Sequence, residues 1–301
     1  MTTRKFGRRS VDLSNENKVL FPDDGITKGD IIAYYESVAD RILPFLKGRP
    51  LVLERFPNGV GASGFYQKQT GSYFPDWIRT ARVRKQGGWQ DLVVCDDVAT
   101  LVYLANQAAI TLHPWLSCAE RIDCPNLFIV DLDPPAGKFE QARSAALHCR
   151  TLLDELEVPA FLKTTGSKAL HVVVPLAGKE TFDAVRTVAT NLMKVLAARH
   201  PDDLTTEQRI DKRRGRVYLD IARNAYAQTA VAAYSVRALP GAPVSMPIDW
   251  KELAQKKLDA RSYTIRNALR RRVADPWADL RRRRCTMAAM QKKLEKIGDR
   301  H

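Results

Sequence analysis

Leu127–Asp133 reads Leu-Phe-Ile-Val-Asp-Leu-Asp and runs straight into Pro134 and Pro135. A short apolar run rich in Ile, Val and Phe is a buried strand. Side chains alternate along a strand, so Asp131 and Asp133 share one face while Leu132 points back into the core. The prolines cannot donate to a ladder and stop the strand. Two like charges at the exit of a buried strand repel each other and call for a compensating cation. A divalent ion held by oxygen ligands is the usual one. A strand-end turn bearing two solvated acids would read the same way, so the pattern needs support from elsewhere in the chain.

The charge balance is the first support. There are 48 Lys and Arg against 34 Asp and Glu, a formal net charge of +14. That excess predicts a polyanionic partner, nucleic acid first. Cys95, Cys118, Cys124, Cys149 and Cys285 include no Cys-x-x-Cys pair. The sequence thus predicts neither a zinc site nor a disulfide framework, and fits a reducing cytoplasm. No signal peptide follows the basic N-terminus, and no apolar run is long enough to cross a membrane.

In chain order, residues 1–10 read as a flexible basic arm. Thr27, with Asp30 three residues on, caps a helix expected from Lys28 to about Leu43, on the periodicity of Ile31, Ile32, Tyr34, Tyr35, Val38 and Ile42. Leu51–Phe56 is a strand and Pro57-Asn58-Gly59 a turn. The adjacent aromatics Phe65 and Tyr66 then follow a glycine-rich loop, suiting either base stacking or a strand core. Arg79–Lys85 reads as a strand entering a basic hairpin. A helix over about 99–109 precedes a strand carrying His113. Beyond the Asp131 strand come a helix at about 138–156, a strand at 159–164, and the turn Thr164-Thr165-Gly166-Ser167-Lys168-Ala169. Free backbone N–H groups, hydroxyls and a lysine in such a turn can cradle phosphates, although the P-loop spacing is missing. After a helix at about 181–199 and the basic turn Asp211–Arg216, Val217–Ile221 is a strand with Asp220 set inside it. A carboxylate there is costly unless paired or metal-bound, which makes Asp220 a candidate third ligand. Residues 250–301 read as a basic helical tail with the runs Arg270–Arg272 and Arg281–Arg284. With no repeat and no linker, one domain over 1–301 is expected, of mixed α/β (α+β) class.

Taken in order, these residues resemble the polymerase domain of bacterial ligase D, within the archaeo-eukaryotic primase superfamily. The resemblance is carried by Lys18–Pro22, Thr27-Lys28, Tyr34-Tyr35, Arg55–Val60, Phe65–Lys68 and His113–Trp115. It continues through Asp131–Pro134, Gly166–Lys168 with Leu170-His171, Asp220 with Arg223-Asn224, and Tyr234–Arg237 to Ala242–Ser245. It implies a primase-type catalytic core, mixed sheets flanked by helices. It further implies that Asp131, Asp133 and Asp220 bind two divalent ions, Mn²⁺ or Mg²⁺, for an in-line displacement. Thr165, Ser167, Lys168 and His171, joined by Arg213, Arg223 and Arg237, are then the nucleotide-binding groups. His113 would lie near the sugar, and Phe65 and Tyr66 would stack at nucleotide and template. Lys18 and Lys28 would hold a DNA 5′-phosphate across a gap. Thr165 replaces the usual Ser, keeping the hydroxyl, and Ala169 replaces the usual Gly.

The implied activity is template-directed nucleotide transfer that fills gaps and extends ends in non-homologous end joining, with a preference for ribonucleotides. The implied partners are DNA ends and gapped duplex, NTP or dNTP, a Ku-type end-binding protein and a DNA ligase, in a cytoplasmic, nucleoid-associated setting. A primase starting chains de novo gains little from a 5′-phosphate pocket. A catalytically silent end-binding module would not need three carboxylates, nor a metal-dependent nuclease a triphosphate turn.

Overall fold

A computed structural model describes residues 2–271 and 274–298. Arg272, the end of the first arginine run, lies outside them. The chain falls into two units. The first holds the described residues up to Glu120 together with Thr229–Met246 and Tyr263–Arg271; the second holds Arg121–Gln228, Pro247–Ser262 and the rest.

The first unit opens with a hairpin of β1 (Thr2–Phe6) and β2 (Arg9–Leu13), where the sequence reading has a flexible arm. Period-2 burial is the reason: Val11 and Leu13 are buried while Ser10 and Asp12 are not. Arg4 pairs with Glu16 and Glu36, so the basic residues are tied to the fold. Next come β3 (Val19–Phe21) and β4 (Ile26–Thr27), then α1 (Lys28–Ser37) and α2 (Ala39–Leu46). Thr27 and Asp30 form the expected capping box. The single helix expected over 28–43 is broken at Val38 (φ −98°, ψ 5°). Its apolar periodicity carries across the break, because Ile31, Ile32, Tyr35 and Ile42 are all buried.

Strands β5 (Leu51–Arg55) and β6 (Phe65–Gln67) follow, then the hairpin of β7 (Thr80–Lys85) and β8 (Gly88–Val93), then α3 (Val98–Asn106) and β9 (Ala109–Pro114). A three-stranded antiparallel sheet runs in the order β6-β5-β9. Residues 229–246 lie against β9 and α1 through a buried hydrogen-bond network. Tyr35 Oη donates to Ile110 O at 2.6 Å and contacts Ser235 Oγ at 3.2 Å, and Ser235 Oγ accepts from Leu112 N at 2.9 Å. That network fixes the backbone from which Arg237 projects.

The second unit is built on β10 (Leu127–Asp133), α4 (Phe139–Glu155), β11 (Phe161–Thr164), β12 (Leu170–Pro175) and α5 (Phe182–Arg199). It is completed by β13 (Leu204–Thr205), β14 (Val217–Asp220), β15 (Pro247–Ile248) and α6 (Met287–Gly298). Six strands form one sheet in the order β13-β14-β10-β12-β11-β15, antiparallel except for the β13–β14 pair. Phe128, Val130, Leu132, Val172 and Leu219 are buried, and α4 packs against β10 and β12. The class is the mixed α/β one expected.

The helical tail is not borne out as drawn. Between 250 and 286 the described chain has 3₁₀ turns at Trp250–Ala254 and Ala268–Arg270 in otherwise irregular backbone, and the one α-helix of the described tail is α6, after it. Apolar residues here are too sparse for a helical stripe and bury singly. Trp277 is 5% exposed and donates from Nε1 to Leu162 O at 3.0 Å. Arg143 reaches the same segment, donating to Leu253 O, Gln255 O and Leu258 O.

One buried amide stitches the strand exits together. Asn224 is fully buried; its Oδ1 accepts from Ile129 N at 2.8 Å and its Nδ2 donates to Ile129 O at 2.7 Å. It completes the backbone bonding of β10 where β14 does not reach. Removing both partners strands a buried N–H and C=O. Asn224→Ala should therefore lower unfolding free energy by about 3 kcal/mol. Urea titration would read this as a lower midpoint at an unchanged slope.

Candidate active site

The site grows out of strand register. Asp131 lies directly opposite His171 on β12 and Asp220 on β14, and His171 lies opposite Lys163 on β11. Lys163, His171, Asp131 and Asp220 therefore form one row across the sheet. Asp133, two residues from Asp131 and opposite Tyr218, continues the same face. The three carboxylates expected to act together are brought together.

Their surroundings divide the labour. Asp133 is bound by two cations: Lys168 Nζ at 2.7 Å and Arg213 Nη1 at 3.1 Å. Arg213 is itself fixed, donating to Gln208 O and Glu207 O with its guanidinium 4.2 Å over the Tyr218 ring. Asp220 accepts from Ala222 N at 2.7 Å. Burial raises the Asp220 carboxyl above the usual range, and the nearby charges of Asp131 and Asp133 add to this. Asp131 Oδ2 lies 3.4 Å from His171 Nε2. Burial would raise Asp131 too, but His171, Arg223 and Lys163 outweigh it and hold that carboxyl below its ordinary value. His171, buried beside Lys163, is pushed down to about 4, so it stands behind Asp131 as a neutral ring.

Asp131 Oδ1 is buried with no hydrogen-bond partner among the described residues. A bare carboxylate oxygen at that depth is costly unless a cation reaches it. Hard oxygen donors on one face, one of them bare, fit a divalent ion. Among the described residues no three His, Cys, Asp or Glu donors converge as a finished cage. The ion-pair partners of Asp133 and the Ala222 N–H on Asp220 hold those carboxylates instead.

The turn expected to cradle phosphate lies beside them, as the Lys168–Asp133 contact requires. Gly166 takes φ +67°, the left-handed conformation glycine adopts freely. Thr165 is buried and its hydroxyl is fully engaged inside the turn. It donates to Ala169 O at 3.0 Å and accepts from Ala169 N at 3.1 Å and Ser167 N at 3.3 Å. The hydroxyl expected to meet phosphate thus shapes the loop, while Lys168 is exposed and Ser167 half-buried.

Other expected groups lie in the first unit. Phe65 and Tyr66 are both exposed but, as neighbours on β6, point to opposite faces. Phe65 lies by Arg55, whose guanidinium is 5.4 Å from the ring; Tyr66 meets His113 edge-on at 5.8 Å. His113 Nε2 is 3.6 Å from Glu54 Oε2. Lys18 and Lys28 are adjacent through a backbone bond, Lys28 N to Lys18 O at 2.8 Å, as the reversing chain predicts. Lys18 is exposed with Nζ 3.3 Å from Asn58 Oδ1. Lys28, however, is 5% exposed and donates to Asn106 O and Ser14 Oγ. The first N–H groups of α1 are also engaged: Lys28 N by Lys18 O, Gly29 N by Glu16 O and Asp30 N by Thr27 Oγ1.

Two side chains enter that the sequence reading passed over. Lys163 is a charge inside an apolar strand, the signal that singled out Asp220, and applies to it equally. Glu54 gave no comparable signal, because β5 ends in the charged pair Glu54-Arg55.

Residues 27–277 match the family model described as LigD, primase-polymerase domain. The multifunctional non-homologous end joining protein LigD of Pseudomonas aeruginosa is 32% identical over 290 residues, 94% of this chain and 34% of that protein. The bifunctional non-homologous end joining protein LigD of Bacillus subtilis is 31% identical over 258 residues, 85% of this chain and 41% of that one. The chain thus spans well under half the length of these relatives. The polymerase domain from Mycobacterium tuberculosis ligase D, solved in complex with DNA, superposes with a TM-score of 0.85 at 29% identity, covering 91% of this chain and 99% of that one.

The turn makes a prediction of its own. Thr165→Val is nearly isosteric but removes the hydroxyl that closes the loop; Thr165→Ser keeps it. Thr165→Val should weaken triphosphate binding about tenfold, on the order of one lost hydrogen bond, with Thr165→Ser near wild type. Equal affinities for all three, by fluorescent-nucleotide titration, would show that the hydroxyl does not organise the turn.

Proposed function

The chain belongs to the LigD primase-polymerase family, and on that premise we propose that it is a template-directed nucleotidyltransferase that fills gaps and extends ends at DNA breaks. The observation that supports this most is the single sheet face on which Asp131, Asp133 and Asp220 stand beside the Thr165–Lys168 turn. Carboxylates alone would suit a nuclease; carboxylates beside a turn suited to cradle phosphate, with the cations Lys168 and Arg213 against them, suit transfer from a triphosphate.

Each group has a role in that reading. Asp131, Asp133 and Asp220 hold the divalent ions that enzymes of this class need, two of them, with Mn²⁺ or Mg²⁺ as candidates. When bound, such ions supply charge stabilisation at the attacking and leaving oxygens. His171 packs behind Asp131 and keeps it aimed. Lys168, Ser167 and the backbone of the turn bind triphosphate oxygens; Arg213, Arg223 and Arg237 add positive charge to the nucleotide. His113 stands at the sugar and favours ribonucleotides. Tyr66 and Phe65 serve nucleotide and template from opposite faces of β6. Lys18 holds a 5′-phosphate, with Lys28 contributing charge from beneath. The partners are DNA ends and gapped duplex, a Ku-type protein and a DNA ligase.

Incubation with a gapped template-primer, Mn²⁺ and labelled ATP tests the reading. Extension by one or a few residues is expected; de novo product would point to a primase and shortening to a nuclease. Asp133→Ala should abolish extension and leave duplex binding intact, because affinity for duplex rests on basic surface rather than on this carboxylate. Full activity in that variant would remove the metal assignment.

The 5′-phosphate is a separate expectation. Wild type should bind gapped DNA more tightly with the phosphate than without. One charge-assisted contact is on the order of 1.5–3 kcal/mol, so Lys18→Ala should erase roughly one to two powers of ten of that preference. Indifference of the wild type to the phosphate would remove the argument for end joining over general gap filling.

A further inference from the structure

An exposed aromatic side chain of the first unit has no task so far. Tyr73, in the loop between β6 and β7, is 55% exposed, and Phe65 on β6 is 47% exposed. Arg55 on β5 lies opposite Phe65, and Gln67 is two residues farther along β6, so these three side chains share one face of the sheet. Arg55 is only 9% exposed. Its Nη1 donates to Gln67 Oε1 at 2.7 Å and to the Tyr73 hydroxyl at 2.8 Å, its Nε to Gln107 O at 2.8 Å and its Nη2 to Gln107 Oε1 at 3.2 Å. Those acceptors are all neutral, so they satisfy the guanidinium without cancelling its charge. Gln67 Nε2 also donates to the Tyr73 hydroxyl, at 3.1 Å. The hydroxyl thus ties the Tyr73 ring to the guanidinium that lies 5.4 Å from the Phe65 ring centre. Gly71 backs the same ring: a Cβ there would fall 2.3 Å from Tyr73 Cε1. The loop is pinned in turn, because Thr70 N and Oγ1 both donate to Asp91 O on β8.

We propose that Phe65 and Tyr73, joined by Arg55, form a two-ring platform for unpaired bases of the template strand, and that Tyr73 extends it by one base beyond the one held at Phe65. This rests on the reading that Phe65 serves the template. A base inside a duplex has both faces covered by its neighbours, so a protein ring can stack only on an unpaired one. Such stacking tolerates any sequence, because every base has a π-face. The two rings supply the apolar surfaces, and the uncancelled guanidinium between them supplies positive charge for the connecting phosphate. An apolar ligand would gain nothing from the charge, and an acidic peptide nothing from two exposed rings. The Tyr73 ring is also held in place before any ligand arrives, which spares the entropy of ordering it on binding. A tyrosine present only to tether Arg55 would need its hydroxyl but not its exposed ring.

The test measures, by fluorescence anisotropy, binding of a recessed template-primer with a short template overhang, either intact or made abasic at one overhang position at a time. In the wild type, removing the base that lies on Tyr73 should cost about tenfold in affinity, the size of one base–aromatic stack. Tyr73→Ala should show that loss on the intact overhang and lose nothing further when the same base is removed, as coupling through one stack demands. Tyr73→Phe keeps the ring and gives up the bond to Arg55, and should bind the overhang as the wild type does. Gly71 is not in the left-handed region, so Gly71→Ala brings no backbone strain; it keeps the tyrosine but displaces its ring, and should also lose the contribution of that base. Tyr73→Phe and Gly71→Ala carry the decision if Tyr73→Ala does not fold. Tyr73→Phe as weak as Tyr73→Ala, Gly71→Ala with full affinity for the overhang, or a Tyr73→Ala as sensitive as wild type to every abasic position would overturn the proposal. Phe65→Ala taken through the same cycle separates the two readings. Coupling of a base to Phe65 but of none to Tyr73 overturns the platform and leaves the template role of Phe65 standing; coupling to neither overturns both.

Discussion

Everything at the candidate active site follows from like charges placed in register. Asp131 and Asp220 face each other across two paired strands, and Asp133 adds a third carboxylate to the same face. The backbone ladder, not the side chains, enforces this proximity, so the repulsion has no local escape. What surrounds the acids is a graded answer to that repulsion. Asp133 has direct contacts with Lys168 and Arg213, while Asp131 has a neutral imidazole at its side and the charges of Lys163 and Arg223 farther off. The bare Asp131 Oδ1 is what remains unanswered by the protein.

The Thr165–Ala169 turn supplies one of the cations in that answer. Lys168 can reach Asp133 only because Gly166 turns the chain in the left-handed region and Thr165 closes the loop from inside. A loop closed from within presents its backbone and its lysine outward. Ala169, where the resemblance implies glycine, is not among the residues with positive φ, so its Cβ brings no left-handed strain.

Much of this was legible in the sequence where the signal is local. The strand Leu127–Asp133 and the Thr27–Asp30 capping box occur where composition and spacing put them. Asp220 is on the expected strand, but as its half-buried last residue rather than inside it, because the chain turns at once into Ala222–Asn224. What stayed hidden is non-local. The hairpin at residues 2–13 is short, polar on one side and rich in arginine; Glu16, Glu36 and Asp97 tie Arg4 and Arg9 into the structure. Lys28 looks like any helix-opening lysine until Asn106, far along the chain, supplies a carbonyl for it. Phe65 and Tyr66 look like a pair in a list of letters, and a strand separates them to two faces. Tyr73 is one more loop residue until Arg55 and Phe65, on two paired strands, give its ring a place.

The segment layout carries a consequence for how such a protein can be divided. Each unit is assembled from three separate stretches of chain, and Arg237 belongs to the unit whose bulk ends at Glu120. The bonds of Ser235 to Leu112 and Tyr35 make that late stretch part of the early unit's interior. No single cut releases either unit whole: a fragment ending before Thr229 would leave β9 and α1 with stranded buried polar groups. Gene fission at any of the crossings would therefore yield halves that must find each other to fold, so that complementation by two co-expressed fragments, rather than a free-standing minimal module, is the form in which a split version could exist.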